Sequence, residues 1–195
     1  MPLFVAIMGV DGSGKTTVIK AVKKELEKRG FRVHVWHRNK RFVNAANPIA
    51  HHKLPPYSKI VSIGKLLYKA TRWVFSYYFT IAQLRKQGVI VISDHFYFYY
   101  LAMDPIRFRY GGPQSLAWKT AKHVPNPDVK ILLRAPFDVV NQRKQELSPE
   151  AMRRLIQAHD DLSEKFPDIH RIDANQTLTV VVPQVIERIK NSIKQ

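Results

Sequence analysis

A chain of 195 residues that is 45% apolar is long enough for one domain with a large core. Its 32 Lys and Arg against 15 Asp and Glu give a net charge of +17, which points to an anionic partner or substrate, or else to charge that only serves solubility. There is no cysteine, which excludes a disulfide framework and thiol chemistry and is compatible with a reducing compartment.

The first predicted element is the unbroken apolar run Leu3–Met8, of the length and type of a buried strand. It is too short for a signal peptide and runs directly into Gly9-Val10-Asp11-Gly12-Ser13-Gly14-Lys15-Thr16, a complete G-x-x-x-x-G-K-[ST] loop, followed by Thr17. Apolar residues at Val18, Ile19, Val22 and Leu26 then recur at helical spacing, and Gly30 is placed to stop the helix. Strand, glycine loop and helix are the context this motif requires. The glycines let successive backbone N–H groups turn inward as an anion cradle at a helix N-terminus. Lys15 would reach the β- and γ-phosphates, and the Thr16 hydroxyl would ligate Mg²⁺. The alternative, a glycine-rich turn that binds nothing, explains none of these anchors, so a nucleoside triphosphate is the expected ligand.

Arg32–Trp36 alternates as a second strand. From Lys28 through Ser93 there are 13 Lys and Arg and no Asp or Glu, a segment that lies under a strong positive field. Within it residues 39–57, with Pro48, Pro55 and Pro56, read as a long irregular excursion of the kind that faces substrate. Ser58–Gln87 is helical, as one extended helix or two. Its stretch Leu66–Leu84 is the most lipid-like, but Lys69 and Arg72 argue against a membrane span. The aromatic residues Trp73, Phe75, Tyr77, Tyr78 and Phe79 suit a core helix better than an interfacial one. A cytoplasmic location is expected.

Val89–Ile92 reads as a third, buried parallel strand ending at Ser93-Asp94. Val129–Leu133 is the fourth, introduced by Pro125 and Pro127, and Ile169–Asp173 the fifth. Helical patterns cover Pro136–Glu146, Pro149–Lys165, with Ser148 as its cap, and Thr177–Lys194. This alternation predicts a three-layer α/β/α fold on a five-stranded parallel sheet. Asp94, at the C-terminal end of the third strand, falls on the sheet edge that also carries the phosphate loop. A carboxylate there can hold Mg²⁺ or accept a proton in phosphoryl transfer; read alone it is a cap or turn former.

In this order the motifs resemble the thymidylate kinase family of P-loop nucleoside monophosphate kinases. The loop with Asp11 inside it looks like the family's first motif, and Asp94-His95-Phe96 is similar to its Asp-Arg-Tyr/Phe/His motif. Ala70-Thr71-Arg72-Trp73 resembles the stretch carrying the base-contacting arginine. Pro127-Asp128-Val129 with Leu133, Pro136 and Arg143 is similar to the fourth strand and the start of the lid, and Ile172-Asp173-Ala174 to the last strand, near the adenine. The resemblance implies a single domain over residues 1–195, with an acceptor-binding segment at about 38–87 and a lid at about 142–154. It implies transfer of the ATP γ-phosphate to dTMP, with Gly9 through Thr17 holding the donor phosphates and Thr16 and Asp94 around Mg²⁺. Asp11 would face the acceptor sugar, and a mobile arginine should cover the transferring group. Position 12 is glycine, so the lid must supply that arginine; Arg143 comes first, then Arg153 and Arg154, each of which could equally be a solvated helix charge. Members of the family are commonly homodimers, and a homodimer is the expectation here.

The departures bear on the acceptor. The family's arginine after the aspartate is His95 here, which is shorter and makes no two-pronged contact; Arg38 could take over that phosphate, with Arg72 at the base. Tyr97-Phe98-Tyr99-Tyr100 replaces the small residues beside the base and is either core or a reshaped acceptor pocket. Asp104 to Pro113 is a basic-aromatic loop without a family counterpart, a turn as structure and an anion contact as function. With Arg143-Lys144-Gln145-Glu146 and Ser148-Pro149-Glu150 it looks like a divergent thymidylate-kinase-like branch often associated with polysaccharide biosynthesis. That favours, as the second reading, a phosphosugar, lipid-linked intermediate or other anionic acceptor. A nucleotide-gated nucleic-acid binder is the third, and the absence of any recognised nucleic-acid module argues against it.

Overall fold

The computed structural model describes residues 2–36, 54–143 and 147–193. These fall into two compact units, the first comprising residues 2–36, 81–95, 127–143 and 147–193, the second residues 54–80 and 96–126.

The first unit is built on a parallel sheet. Its strands β1 (Phe4–Met8), β2 (Arg32–Trp36), β3 (Val89–Ser93), β4 (Val129–Arg134) and β5 (Ile169–Asp173) lie in the order β2-β3-β1-β4-β5. Every pairing is parallel. β1 and β3 are buried along their whole length, which is why both read as unbroken apolar runs. The edge strand β2 is half-exposed and alternates instead. Asp128 sets the register of β4 on β1: its carboxylate accepts from the Phe4 N–H at 2.7 Å and pairs with Arg85 at 2.9 Å.

Helix α1 (Lys15–Lys28) buries Val18, Ile19, Val22 and Leu26, the stripe read from the sequence. It ends as expected at Gly30: the Gly30 N–H donates to Glu27 O, and the φ of +84° lets the following Phe31 N–H reach Leu26 O. Further on, α6 (Phe137–Arg143) is the described part of the predicted Pro136–Glu146 helix, since residues 144–146 lie outside the described residues. α7 (Pro149–Lys165) has Ser148 Oγ accepting from the Ala151 N–H at 3.3 Å, as its cap position requires, and α8 (Leu178–Ile193) closes the unit.

The segment Ser58–Gln87 is one helical run with an irregularity. α2 (Lys59–Ser76) passes through a π-helical turn at Tyr77–Ile81 into the short α3 (Ala82–Lys86). Two further helices, α4 (Tyr97–Met103) and α5 (Gln114–His123), go beyond what the sequence predicts. In the second unit Trp73, Phe96, Phe98 and Tyr99 meet edge to face or tilted, with centroids 4.9–6.4 Å apart. Phe98, Tyr99 and Tyr100 are buried, so the Tyr97–Tyr100 cluster supplies core. Among the described residues no helix is long and apolar enough to cross a membrane.

Candidate active site

The register of the sheet brings two loops together. Ala6 pairs with Ser93, so the turn after Met8 and the turn after Ser93 leave the same edge from neighbouring strands. The first turn is shaped by its glycines. Gly9, Gly12 and Gly14 have φ of +145°, +92° and +86°, a region that L side chains rarely adopt. A Cβ on Gly9 would lie 2.6 Å from Leu133 O and 2.8 Å from Ser13 Oγ. Gly9→Ala is therefore expected to lower unfolding free energy by about 2 kcal/mol or more, measured by urea denaturation; an unchanged midpoint would show that the loop yields there.

The loop also carries the polar groups that a polyphosphate needs. Ser13 is buried, and its Oγ has no hydrogen-bond partner among the described residues. An orphaned buried hydroxyl costs about 1–3 kcal/mol and marks a place where a ligand can complete the bonding. Lys15 is 7% exposed and folds back on the loop, its Nζ donating to Gly9 O at 2.8 Å and Val10 O at 2.7 Å, with Asp11 Oδ1 at 3.5 Å. The ammonium is thus held at the cradle by two neutral carbonyls and one carboxylate. Thr16 and Thr17 are exposed at the start of α1, where their hydroxyls can meet solvent or a cation. These residues fit a nucleoside triphosphate with its Mg²⁺. Among the described residues no group of three or more His, Asp or Glu forms a cage for a metal by itself.

The second turn is fixed by Ser93, whose hydroxyl donates to His95 O at 2.5 Å while the His95 N–H lies 3.4 Å from Ser93 Oγ. This holds Asp94 and His95 side by side, His95 Nδ1 being 3.3 Å from Asp94 Oδ1. Both side chains are about a third exposed, at 32% and 39%. Ser93 is a residue whose role the sequence reading missed; a serine closing a strand just before an aspartate is the signal that could have found it.

The three arginines expected at the lid separate. Arg143 lies in the last described turn of α6, and the position a Cβ would take on Gly14 is 4.0 Å from its Nη1, which puts the guanidinium beside the phosphate loop. Arg153 instead stacks on Phe137, Cζ 4.3 Å from the ring centroid, and Arg154 is exposed on α7. Arg134, at the end of β4, is spent on Asp160 through two 2.9 Å bonds. That two-pronged ion pair holds the guanidinium's pKa above its ordinary range. Among the acceptor candidates, Arg72 belongs to the second unit, where its Nη1 donates to Tyr68 OH at 3.0 Å. Arg38 lies outside the described residues.

A five-stranded parallel sheet with a phosphate-type loop leaving its central strand and an aspartate closing the next defines the nucleoside monophosphate kinase-like class of α/β proteins. Comparison with known families narrows it. The model of the family "Thymidylate kinase" matches residues 7–193. Relatives described as "Probable thymidylate kinase" match over nearly the whole of both chains. That of Caldivirga maquilingensis is 26% identical, covering 100% of this chain and 96% of its own. Those of Thermococcus gammatolerans and Methanosphaera stadtmanae are each 24% identical, with coverage of 98% or more on both sides. The chain belongs to the thymidylate kinase family. It is a kinase of the nucleoside monophosphate type.

Proposed function

We propose that the protein transfers the γ-phosphate of ATP to dTMP, giving dTDP and ADP, with Mg²⁺ required. The observation that carries this reading is the placement of Arg143 beside a glycine loop whose lysine is already buried in the cradle. Phosphoryl transfer needs positioning and charge neutralisation more than covalent chemistry from the protein. Lys15 would exchange its loop carbonyls for the β- and γ-phosphates, joined by the loop amides from Val10 to Thr17 and by the Ser13 hydroxyl. Thr16 and Asp94 would hold Mg²⁺, which supplies neutralisation of the phosphate charge when bound. Arg143 would cover the transferring group, and Asp11 would face the acceptor sugar. Arg38, Arg72 and His95 would hold the acceptor's phosphate and base. In this reading residues 1–195 work as one catalytic domain, cytoplasmic and homodimeric; light scattering checks the last against a chain mass of 22.6 kDa.

The direct test is transfer of labelled γ-phosphate from ATP to dTMP, with a product that co-migrates with dTDP. Absence of label in dTDP, with ATP still bound, would overturn dTMP as acceptor. Asp94→Asn keeps the shape of the side chain and removes its charge. It is expected to lower kcat by about 10²–10³-fold while changing the Kd for ATP only a few-fold. Equal loss in both would make Asp94 a structural residue of the Ser93 turn.

A second reading keeps the chemistry and changes the acceptor to a phosphosugar, a lipid-linked intermediate or another non-nucleotide anion. The Asp94–His95 pair favours it. An imidazole 3.3 Å from the carboxylate offers none of the forked contact that an arginine makes with a phosphate.

A further inference from the structure

The basic-aromatic loop after α4 has no part in the reading above, yet its backbone is tightly held within the second unit. Arg109 has φ of +52°, the one positive value outside glycine among the described residues. Non-glycine residues persist there only when their surroundings hold them, and such positions concentrate at binding sites. The surroundings here are explicit. The Tyr57 N–H donates to Arg109 O at 2.9 Å, and Arg109 Nε donates to Pro55 O at 2.9 Å. The Gly111 N–H donates to Ser62 Oγ at 2.9 Å, and a Cβ on Gly111 would lie 2.1 Å from Tyr57 O. The loop is strapped to the start of α2 with no space for a side chain between them.

That strap brings two cations onto one phenol. Lys65 Nζ lies 3.1 Å from the centroid of the Tyr57 ring, and Arg109 Cζ lies 4.1 Å from it, with Arg109 Nη1 3.4 Å from Tyr57 OH. The two charges are therefore no more than about 7 Å apart, a separation at which like charges repel unless neutralised. Among the described residues neither has a carboxylate partner. The sole acid of the described second unit, Asp104, accepts from the Arg107 N–H at 3.3 Å. Cation–π contact offsets part of the repulsion. A bound anion would turn the remainder into attraction.

We propose that Tyr57, Lys65 and Arg109 form an anion site in the second unit that takes the phosphate monoester group of a small molecule. A guanidinium, an ammonium and a phenol hydroxyl give charge-assisted donors matched to a dianion, with the strained Arg109 backbone fixing the fork. The phenol reports on the site. Its pKa is held below the ordinary tyrosine value of 10.0, chiefly by its contact with Lys65, with the charge of Arg109 adding to it. A bound dianion would neutralise both cations and so let the phenol's pKa rise. The site stands in the second unit and does not depend on which acceptor the phosphate loop serves.

The test is a pH titration of the full chain carrying ¹³Cζ-labelled tyrosine, with Tyr57→Phe assigning the Tyr57 resonance. The probe is inorganic phosphate against chloride at equal ionic strength. The expected result is a Tyr57 midpoint that moves upward with phosphate and not with chloride. Lys65→Gln and Arg109→Gln should each weaken the phosphate response about tenfold. Lys65 is exposed, so its variant keeps the strap even where loss of Arg109 loosens it. dTMP and a hexose 1-phosphate, titrated in a Lys15→Ala background, show which phosphate-bearing compound places its group there. A midpoint indifferent to phosphate, or one moved equally by chloride, would overturn the site and leave the cluster as packing alone.

Discussion

Lys15→Ala is expected to lower phosphoryl transfer by about 10³-fold or more while the protein remains folded. The side chain is almost wholly buried, and its ammonium is positioned by two loop carbonyls and Asp11. Its removal strips the cradle of its one buried cation and leaves Gly9 O and Val10 O without that donor. The stability cost should stay near 1–2 kcal/mol, because both acceptors lie on a loop that water can reach once the side chain is gone. Steady-state turnover, with urea denaturation alongside, separates the two effects. Unchanged turnover in a folded variant would end the assignment of this loop to phosphate.

Arg143→Ala should have an effect of similar size by a different route. Arginines that cover a transferring phosphoryl group are worth about 10³–10⁵ in kcat. Arg143 is an exposed residue of α6, so its loss should change the stability of the fold by no more than about 0.5 kcal/mol. The Kd for ATP is expected to change far less than kcat, since the interaction proposed for this residue belongs to the transferring group. Arg143→Lys should recover only part of the rate, because an ammonium cannot replace the planar fork. The matching control is Arg153→Ala, whose side chain is engaged with Phe137. Full activity in Arg143→Ala with loss in Arg153→Ala would move the lid role to α7.

How far the sequence carried the fold depends on periodicity. β1, β3 and β4 are buried on both faces, so their residues are apolar almost throughout, the buried Lys130 of β4 being paired with Asp168, and their bounds were legible to within a residue or so. α1 and α7 carry a single apolar stripe with clear stop or cap residues. α4 was not legible because Tyr97–Tyr100 is aromatic at every position, and a helix buried on most sides leaves no 3.6-residue signature. α5 opens at Pro113 without a side-chain cap and buries only Ala117 and Ala121, too weak a stripe to stand out. The π turn at Tyr77–Ile81 has no sequence period of its own.

The candidate site divides in the same way. The loop from Gly9 to Thr17 was readable because phosphate binding by backbone N–H groups demands glycines at fixed offsets. Asp94 was readable from its position at a strand end. The sequence put Arg143 ahead of Arg153 and Arg154 for the lid role, but its proximity to Gly14 follows from the packing of α6 and has no local signature. The pairing of Lys65 with Arg109 on Tyr57 joins residues some fifty positions apart and leaves no local pattern at all.

The measurement that tests the central claim most directly is ADP release from ATP and Mg²⁺ across an acceptor panel, with Lys15→Ala as the blank. The panel holds dTMP, the other nucleoside monophosphates, phosphosugars and no acceptor. The account predicts strong stimulation by dTMP, weak stimulation by the other nucleotides and none in the blank. Stimulation by a non-nucleotide alone would contradict dTMP and favour the second acceptor class. A flat response across the panel, in a protein that binds ATP, would contradict both acceptor readings.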